Sequence, residues 1–204
     1  MVSRRLILVF GCSMLASAVP LAPALAASDA TAAVTDFGNQ ALQMLNDPQL
    51  SQAEREKRFG ALLDRDFDFV KTSRFVLGAY WQSATEQEKQ QFAPSFRNYV
   101  VKTYATRFGE FTGASFTITG ERPEGAGSVI VNSTVMQRNN QSPAKVDWRV
   151  STETSAPKIT DVIVNDVSMS LTYRHYFTAM IKRDGHGVAG LIAQLRSSDG
   201  ADKQ

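Results

Sequence analysis

Apolar residues in the first half of the chain recur with the period of an amphipathic helix. Val34, Phe37, Ala41 and Leu45 follow the i, i+3, i+4 spacing that places side chains on one helix face. The same period continues to residue 111 and predicts three more helices. Their N-terminal signals are capping boxes or capping aspartates: Ser51 with Glu54, Asp66 or Asp68, and Thr85 with Glu88.

The period changes to two after Ala114, which predicts strands instead of helices. The alternation is clearest between residues 145 and 150, where charged residues alternate with Val146, Trp148 and Val150. Four strands in hairpin order up to residue 165 predict a twisted antiparallel sheet. Two further helices are predicted over residues 166–196, followed by a flexible polar tail at 197–204.

The order of these elements predicts one α+β domain over residues 27–196, with helices packed against one face of the sheet. Its helical part is expected at 27–111, its sheet at 112–165 and its C-terminal helices at 166–196. About 170 residues are enough for one sizeable hydrophobic core.

The first 26 residues have the features of a secretory signal peptide. Arg4 and Arg5 precede an apolar run over residues 6–18, and Ala24-Leu25-Ala26 is a small-x-small cleavage site. A lipoprotein signal ending at Cys12 is the alternative, and the short apolar run before this cysteine disfavours it. The sequence therefore predicts export to the periplasm.

Removal of the signal segment changes the charge of the chain. There are 22 basic and 20 acidic residues, and the loss of Arg4 and Arg5 leaves 20 of each. A neutral chain does not favour nucleic acid or an anionic membrane surface as a partner. Because Cys12 is the only cysteine, the mature protein is expected to depend on packing and not on disulfides for its stability.

The histidines and serines do not form a recognisable catalytic pattern. His175 and His186 have a spacing that fits no metal-ligand motif, and we interpret both as surface or helix-end residues. No serine has the sequence context of a nucleophile elbow. The sequence therefore predicts no catalytic residue and no metal site.

Three aspartates with calcium-like spacing have a simpler explanation. Asp64, Asp66 and Asp68 match the first ligand positions of an EF-hand loop, but Phe69 stands where that loop needs glycine. Phe75 stands where it needs a bidentate glutamate. We interpret Asp66 and Asp68 as residues at a helix N-terminus.

Two segments of the chain carry the pattern of a known family. Residues 67–92 place Gly78 and Trp81 in a Gly-x-x-Trp pattern before a Thr-capped helix that contains a phenylalanine. Residues 162–177 contain a strand, a Val-Ser turn, and a helix that carries an arginine and a phenylalanine. In both segments the chain resembles the MlaC family of periplasmic phospholipid-binding proteins, also called toluene-tolerance auxiliary components. It departs from many relatives at Asp166, where they have glycine, and at Pro94.

The resemblance implies an α+β fold of the NTF2-like or cystatin-like kind, in which a curved four-stranded sheet and its helices enclose an apolar pocket for acyl chains. It implies a soluble periplasmic carrier without enzymatic activity or cofactor. Such a carrier would move phospholipid between an outer-membrane lipoprotein–porin complex and an inner-membrane ABC transporter with an MCE-domain subunit. Some relatives are encoded with hopanoid-synthesis enzymes, so a hopanoid-type lipid is an alternative ligand.

Inward-facing residues of the helices and of the sheet are predicted to contact the lipid. They are Phe75, Val76, Tyr80, Tyr99, Val100, Tyr104, Phe116, Ile118, Val131, Val135, Trp148, Val150, Val162, Val164, Met169, Phe177 and Ile181. Arg174 is predicted to meet the phosphate, the alternative being an ordinary solvated charge on a helix. Each apolar residue also fits a filled core, because periodicity does not distinguish a filled interior from a hollow one.

Two other functions stay open from the sequence. An NTF2-like enzyme or small-molecule-binding protein would need an acid–base pair at the floor of the pocket. Asp147 and Asp161 lie on predicted strands, but Asp147 alternates with Val146 and Trp148 and is expected to face away from the cavity. A structural or adaptor role would require a filled core.

Overall fold

The computed structural model describes residues 22–138 and 142–197. These residues form seven α-helices, a short 3-10 helix at Phe108–Phe111 and five strands. The helices are α1 (Ala22–Asn46), α2 (Gln52–Asp66), α3 (Phe69–Leu77), α4 (Tyr80–Ser83), α5 (Glu86–Ala105), α6 (Met169–Asp184) and α7 (Gly187–Ser197). The strands are β1 (Ser115–Pro123), β2 (Ser128–Met136), β3 (Ala144–Ser151), β4 (Lys158–Val164) and β5 (Val167–Ser168).

Several sequence predictions fall outside these residues. They concern the signal segment up to residue 21, including Cys12, and the tail beyond residue 197. The predicted cleavage point after Ala26 falls within helix α1, which begins at Ala22. The cleavage itself stays a prediction. Within the part of the chain that is described, no helix combines the length and the apolar character needed to cross a membrane.

The α+β class and the antiparallel sheet are confirmed, but the sheet has five strands and not four. The strand order is β1-β2-β3-β4-β5, and each strand is antiparallel to its neighbours. Asn165 and Asp166 both adopt positive φ angles, 46° and 67°, which suits the tight turn of a two-residue hairpin. This turn pairs Val167 with Val164 before α6 begins, so the sheet extends past the predicted boundary at residue 165.

Side chains cap α2, α3 and α5 at the starts that the sequence predicted. Thr85 and Glu88 form a complete capping box at α5. Ser51 caps α2 by accepting a hydrogen bond from the amide of Glu54. Asp68, and not Asp66, caps α3, because Asp66 is the last residue of α2. These caps satisfy amides that have no partner within the helix, which fixes where each helix begins.

The buried apolar residues form two main clusters. The sheet cluster joins the inner face of the sheet to α1, α2 and α5; its buried members are Ala30, Val34, Phe37, Leu62, Leu63, Val101, Val129, Val131, Val146, Trp148, Val150 and Ile159. The helix cluster joins α3, α5, α6 and α7; its buried members are Val76, Leu77, Ala84, Phe92, Phe96, Tyr99, Phe177, Met180, Ile181, Val188, Leu191, Ile192 and Leu195. Helix α5 contributes to both and lies between them.

Candidate functional site

The predicted lipid contacts divide between the two clusters. Seven of them are buried: Val76, Tyr99, Val131, Trp148, Val150, Phe177 and Ile181. Phe75 is exposed, with 42% of its surface accessible. The other ten are partly buried: Tyr80, Val100, Tyr104, Phe116, Ile118, Val135, Val162, Val164, Met169 and Arg174. The predicted set thus combines packed residues with an incompletely covered apolar surface.

Much of this incompletely covered surface lies on the inner face of the sheet. Val162 and Val164 on β4 pair directly with Trp148 and Val146 on β3, and paired residues of antiparallel strands share a face. By the same reasoning, Phe116 and Val135 lie together on β1 and β2. These partly buried valines and the phenylalanine therefore continue the buried inner face toward solvent.

Trp148 is held at the centre of this inner face. Its indole N–H donates to the Ser133 hydroxyl at 2.9 Å, and that hydroxyl donates to the carbonyl of Val146 at 2.7 Å. The indole ring is packed edge-on against Phe37 of α1 and Phe116 of β1, with ring centroids 5.4 and 6.1 Å apart. The hydrogen bond to Ser133 and the two ring contacts together orient Trp148, the largest side chain of the sheet cluster.

The helix cluster is held together by aromatic contacts between α5 and α6. Measured between ring centroids, Phe177 on α6 lies 5.9 Å from Phe92 and 5.4 Å from Phe96, both on α5. It also lies 5.5 Å from Tyr173 on its own helix. Edge-to-face and offset contacts at these distances are favourable beyond the area they bury. Helix α6 is therefore packed against α5 through these aromatic rings.

The two clusters meet along α5. Val100 and Phe69 pack against both clusters. One turn beyond Val100, the Tyr104 hydroxyl lies 3.5 Å from the sulfur of Met169, the first residue of α6. We group the partly buried apolar residues on this side of α5, on the inner face of β4 and at the start of α6 under the name apolar seam; they are Val100, Tyr104, Val162, Val164 and Met169. It runs between the inner face of the sheet and the start of α6.

Tyr104 in the seam and its neighbour Tyr173 stay neutral. Burial raises the pKa of Tyr173 far above its usual range, and its hydrogen bond to Tyr104 raises it further. Burial also raises the pKa of Tyr104, while the hydrogen bond with Tyr173 lowers it. The seam therefore carries no negative charge of its own.

Arg174 lies on the other side of α6, toward α3. Its guanidinium carbon is 5.2 Å from the ring centroid of Phe75, within the range of a cation–π contact. A Cβ atom built on Gly78 would lie 3.0 Å from the guanidinium. The guanidinium of Arg174 can therefore pack against residue 78 because glycine has no side chain. The predicted contact between Arg174 and a phosphate stays a prediction.

Two surface grooves lie away from the predicted contacts. The larger has a volume of about 440 Å³ and lies between α1 and α2; it is lined by Gln40, Gln43, Met44, Asp47, Arg58, Ala61, Leu62 and Arg65. The smaller, of about 250 Å³, lies between α5 and α7; it is lined by Pro94, Ser95, Asn98, Lys102, Leu195 and Arg196. Neither lining contains a residue predicted to contact lipid.

The two strand aspartates are buried in polar networks on the outer face of the sheet. Asp147 accepts a hydrogen bond from Asn132 at 2.9 Å and pairs with Lys145 at 3.3 Å. Asp161 pairs with Arg149 at 2.7 Å. Asp147 thus faces away from the inner face, as its alternation with Val146 and Trp148 predicts. Both carboxylates have structural partners, which accounts for their burial without a catalytic role.

The predicted positions of the histidines are confirmed, since His175 and His186 are both exposed. Within residues 22–138 and 142–197, no group of three or more histidine, cysteine, aspartate or glutamate side chains is placed to hold a metal ion. Asp64 instead pairs with Arg97 at 2.8 Å.

Comparison with known proteins identifies the family. Residues 35–197 match the family described as MlaC protein, which is most of the chain. The chain belongs to the MlaC family. Its fold is also similar to a solved phospholipid-binding protein from Ralstonia solanacearum, whose structure contains a phospholipid. The TM-score is 0.72, the identity is 27%, and the match covers 85% of this chain and 97% of that chain.

The solved neighbour is described as a phospholipid-binding protein, and neither comparison names an enzymatic activity. The family resemblance found in the sequence is thereby confirmed. The sequence did not single out Thr103, Arg107 or Tyr173 as site residues. Tyr173 on α6 packs against Tyr99 on α5, Thr103 lies one turn after Tyr99, and Arg107 lies just beyond the end of α5. The available signal was a threonine within the apolar stripe of α5, one turn after Tyr99.

Proposed function

We propose that this protein carries a phospholipid across the periplasm, with the acyl chains held between the inner face of the sheet and the helix cluster. The observation that supports the proposal most is the similarity to a phospholipid-bound protein along 97% of that chain. The apolar seam is the part of this chain where such acyl chains would enter, because its side chains are apolar and incompletely buried.

The energetics of lipid transfer explain why a carrier is needed. A diacyl lipid has roughly thirty methylene groups, and exposing each to water costs about 0.8 kcal/mol. The total of more than about 20 kcal/mol makes free diffusion of the lipid between two membranes negligible. A carrier that covers the chains removes most of this cost, and no chemical step is required.

Binding in this way would separate the sheet cluster from the helix cluster. Seven predicted contacts are already packed within the clusters, whereas Val100 and Phe69 bridge them. Acyl chains inserted along this junction would replace contacts between the clusters by contacts with lipid. Both kinds of contact bury apolar surface, so the net cost of opening is small compared with the gain from covering the chains.

The membrane partners follow from the family resemblance. We propose that the carrier exchanges lipid with an outer-membrane lipoprotein–porin complex and with an inner-membrane ABC transporter that has an MCE-domain subunit. Export by a cleaved signal peptide would place the chain between the two membranes. The expected balance of 20 basic and 20 acidic residues after cleavage suits release from either complex, because strong electrostatic attraction is absent.

Lipid transfer gives a direct test. The purified protein would be extracted with organic solvent for mass spectrometry, then stripped of lipid and mixed with liposomes that contain fluorescent phosphatidylglycerol. We expect a co-purified phospholipid and uptake from the liposomes. A co-purified hopanoid would favour the alternative ligand, and the absence of both lipid and uptake would refute the proposal.

A pair of matched variants tests whether the acyl chains bind at the apolar seam. Val164→Trp fills the apolar seam and is expected to reduce uptake strongly. Val70→Trp makes the same change on α3, where the valine is 65% exposed, and is expected to leave uptake unchanged. Equal uptake by both variants, with both folded by circular dichroism, would show that the acyl chains do not lie at the seam.

A further inference from the structure

A row of polar side chains follows the apolar stripe of α5. Phe92 and Phe96 are buried in the helix cluster, with 0% and 2% of their surfaces exposed. Tyr99 and Thr103 continue the same face of the helix at i, i+3 and i+4 spacings, and Arg107 follows just beyond the end of α5 as an exposed residue. The face therefore changes along its length from apolar rings to hydroxyl groups and then to a cation.

The two hydroxyl groups in the middle of this row lack partners. Tyr99 is 2% exposed, and its hydroxyl oxygen and the Oγ1 atom of Thr103 are buried with no hydrogen-bond partner among the described residues. Buried polar groups in proteins are nearly always paired, because leaving one unpaired is costly. Two unpaired oxygens on successive turns of one helix point to a bound group that accepts hydrogen bonds there.

Tyr173 and Tyr104 extend the polar surface across the α5–α6 interface. The ring of Tyr173 lies 6.0 Å from the ring of Tyr99. The Tyr104 hydroxyl donates to the Met169 sulfur at 3.5 Å, and it is close enough to the Tyr173 hydroxyl for each phenol to affect the pKa of the other. Since a thioether sulfur is a weak acceptor, the Tyr104 hydroxyl would gain from exchanging it for an oxygen.

Arg107 supplies a positive charge at the end of this row. Its positive charge favours the ionised form of both Tyr104 and Tyr173, which means that the guanidinium is close enough to act on the phenols. Within the part of the chain that is described, no carboxylate forms an ion pair with Arg107. Its guanidinium is thus available for an anion from outside the chain.

We propose that Tyr99, Thr103 and Arg107 form the site for the polar part of the bound lipid, with the hydroxyl groups donating to the glycerol ester carbonyls and Arg107 meeting the phosphate. The proposal rests on the carrier function proposed above and assigns the residues that contact the polar part of the lipid. The order of groups along α5, from ring to hydroxyl to guanidinium, repeats the order of such a lipid from acyl chain to ester to phosphate. Thr103 lies about 6 Å beyond Tyr99 along the helix, and Arg107 follows just past the helix end.

The test compares three lipids for uptake from liposomes. The stripped protein would be offered fluorescent phosphatidylglycerol, its dialkyl ether analogue without ester carbonyls, and diacylglycerol without phosphate. We expect the unmodified protein to prefer phosphatidylglycerol over each of the other two by about tenfold, since a lost hydrogen bond to a buried or charged group has about this effect.

The variants then assign each preference to its residues. Tyr99→Phe combined with Thr103→Val is expected to remove the preference for ester over ether. Arg107→Gln is expected to remove the preference for phosphate, and Arg107→Lys is expected to retain part of it. Arg74→Gln is the control: it changes an exposed arginine on α3 and is expected to leave both preferences intact. Tyr99→Phe should also raise the melting temperature of the lipid-free protein, because it removes an unpaired hydroxyl.

The outcomes separate the site from the function. If the variants bind lipid and keep both preferences, the site is wrong while the carrier function stands. If Tyr99→Phe lowers the melting temperature, the hydroxyl has a partner in the lipid-free protein, and the assignment to ester carbonyls is wrong. If the unmodified protein takes up none of the three lipids, the carrier function itself is wrong.

Discussion

The main-chain amide of Ser170 donates a hydrogen bond to the carboxylate of Asp161, with the nitrogen 2.9 Å from Oδ1. The other oxygen of Asp161 accepts from the Ser168 hydroxyl at 2.6 Å and from Arg149 at 2.7 Å. Asp161 lies on β4 and Ser170 in the first turn of α6, so this buried carboxylate fixes the start of α6 to the sheet. The position of the apolar seam, which ends at Met169, depends on this attachment.

Asp161→Asn tests the attachment. The change keeps the size of the side chain but removes its charge, and it replaces one acceptor oxygen by a donor that faces Ser168 or the Ser170 amide. We expect the free energy of unfolding to fall by about 3 kcal/mol, because a buried charged network loses one partner. Chemical denaturation measured by circular dichroism would give the difference.

Asp166→Asn is the matched control for this change. The Asp166 carboxylate pairs with Lys145 at 2.7 Å but is 79% exposed, and exposed ion pairs contribute at most about 1 kcal/mol. Asparagine also tolerates the positive φ angle of this position. If Asp161→Asn destabilised the protein no more than Asp166→Asn does, Asp161 would not be the attachment point of α6.

Ser133→Ala tests how Trp148 is held. The change leaves the indole N–H without its acceptor in a buried site and is expected to destabilise the protein by about 1–3 kcal/mol. Ser115→Ala removes a hydroxyl from an exposed position on β1 and is expected to change stability by less than about 0.5 kcal/mol. The near-ultraviolet circular dichroism of Trp148 should weaken in the first variant only. An unchanged spectrum would mean that packing alone orients the ring.

Much of the fold could be predicted because local signals determine it. Thr85 with Glu88 predicted the start of α5, and the alternation around Trp148 predicted β3 with its inner and outer faces. The two-residue strand β5 was missed, since two residues are too few to show a period. Its existence depends on the turn at Asn165 and Asp166, whose left-handed conformation a single sequence does not display.

The site was less predictable for a physical reason. Periodicity assigned Tyr99 and Tyr104 correctly to the inward face of α5, but it could not show that the hydroxyl of Tyr99 lacks a partner. That property depends on which side chains of α6 lie opposite. The burial of Asp161 was likewise invisible, because Arg149 and Ser168 come to it from different parts of the chain.

The capping box of α5 predicts a dependence of stability on pH. The amide and the hydroxyl of Thr85 donate to the Glu88 carboxylate at 2.7 and 2.9 Å. These bonds, and to a smaller extent one from the amide of Ala189, hold the pKa of Glu88 below 4.5, the value of a free glutamate. Since the folded-state pKa is lowered, the carboxylate adds stability above pH 4.5, and this contribution is lost as the pH falls through the folded-state pKa.

Glu88→Gln isolates this contribution, because glutamine keeps a capping side chain that does not titrate. We expect the unmodified protein to be more stable than the variant at pH 7 and the difference to shrink below pH 4.5. Glu110→Gln, at an exposed glutamate, controls for the general effect of removing one negative charge. A difference that stayed constant from pH 7 to pH 3.5 would contradict the role of the Thr85 bonds.

Gly78→Ala tests the glycine of the Gly-x-x-Trp pattern. Gly78 ends α3 with φ 55° and ψ −121°, a conformation that side chains strongly disfavour, and an added Cβ would also crowd the Arg174 guanidinium at 3.0 Å. We expect a loss of about 1–3 kcal/mol in unfolding free energy from backbone strain. Gly109→Ala is the control, since a Cβ there meets no atom within 4 Å, and it should change the stability little. Combining Gly78→Ala with Arg174→Ala separates the two causes: recovery of most of the loss would mean that crowding of the guanidinium, and not the backbone conformation, is what requires glycine here.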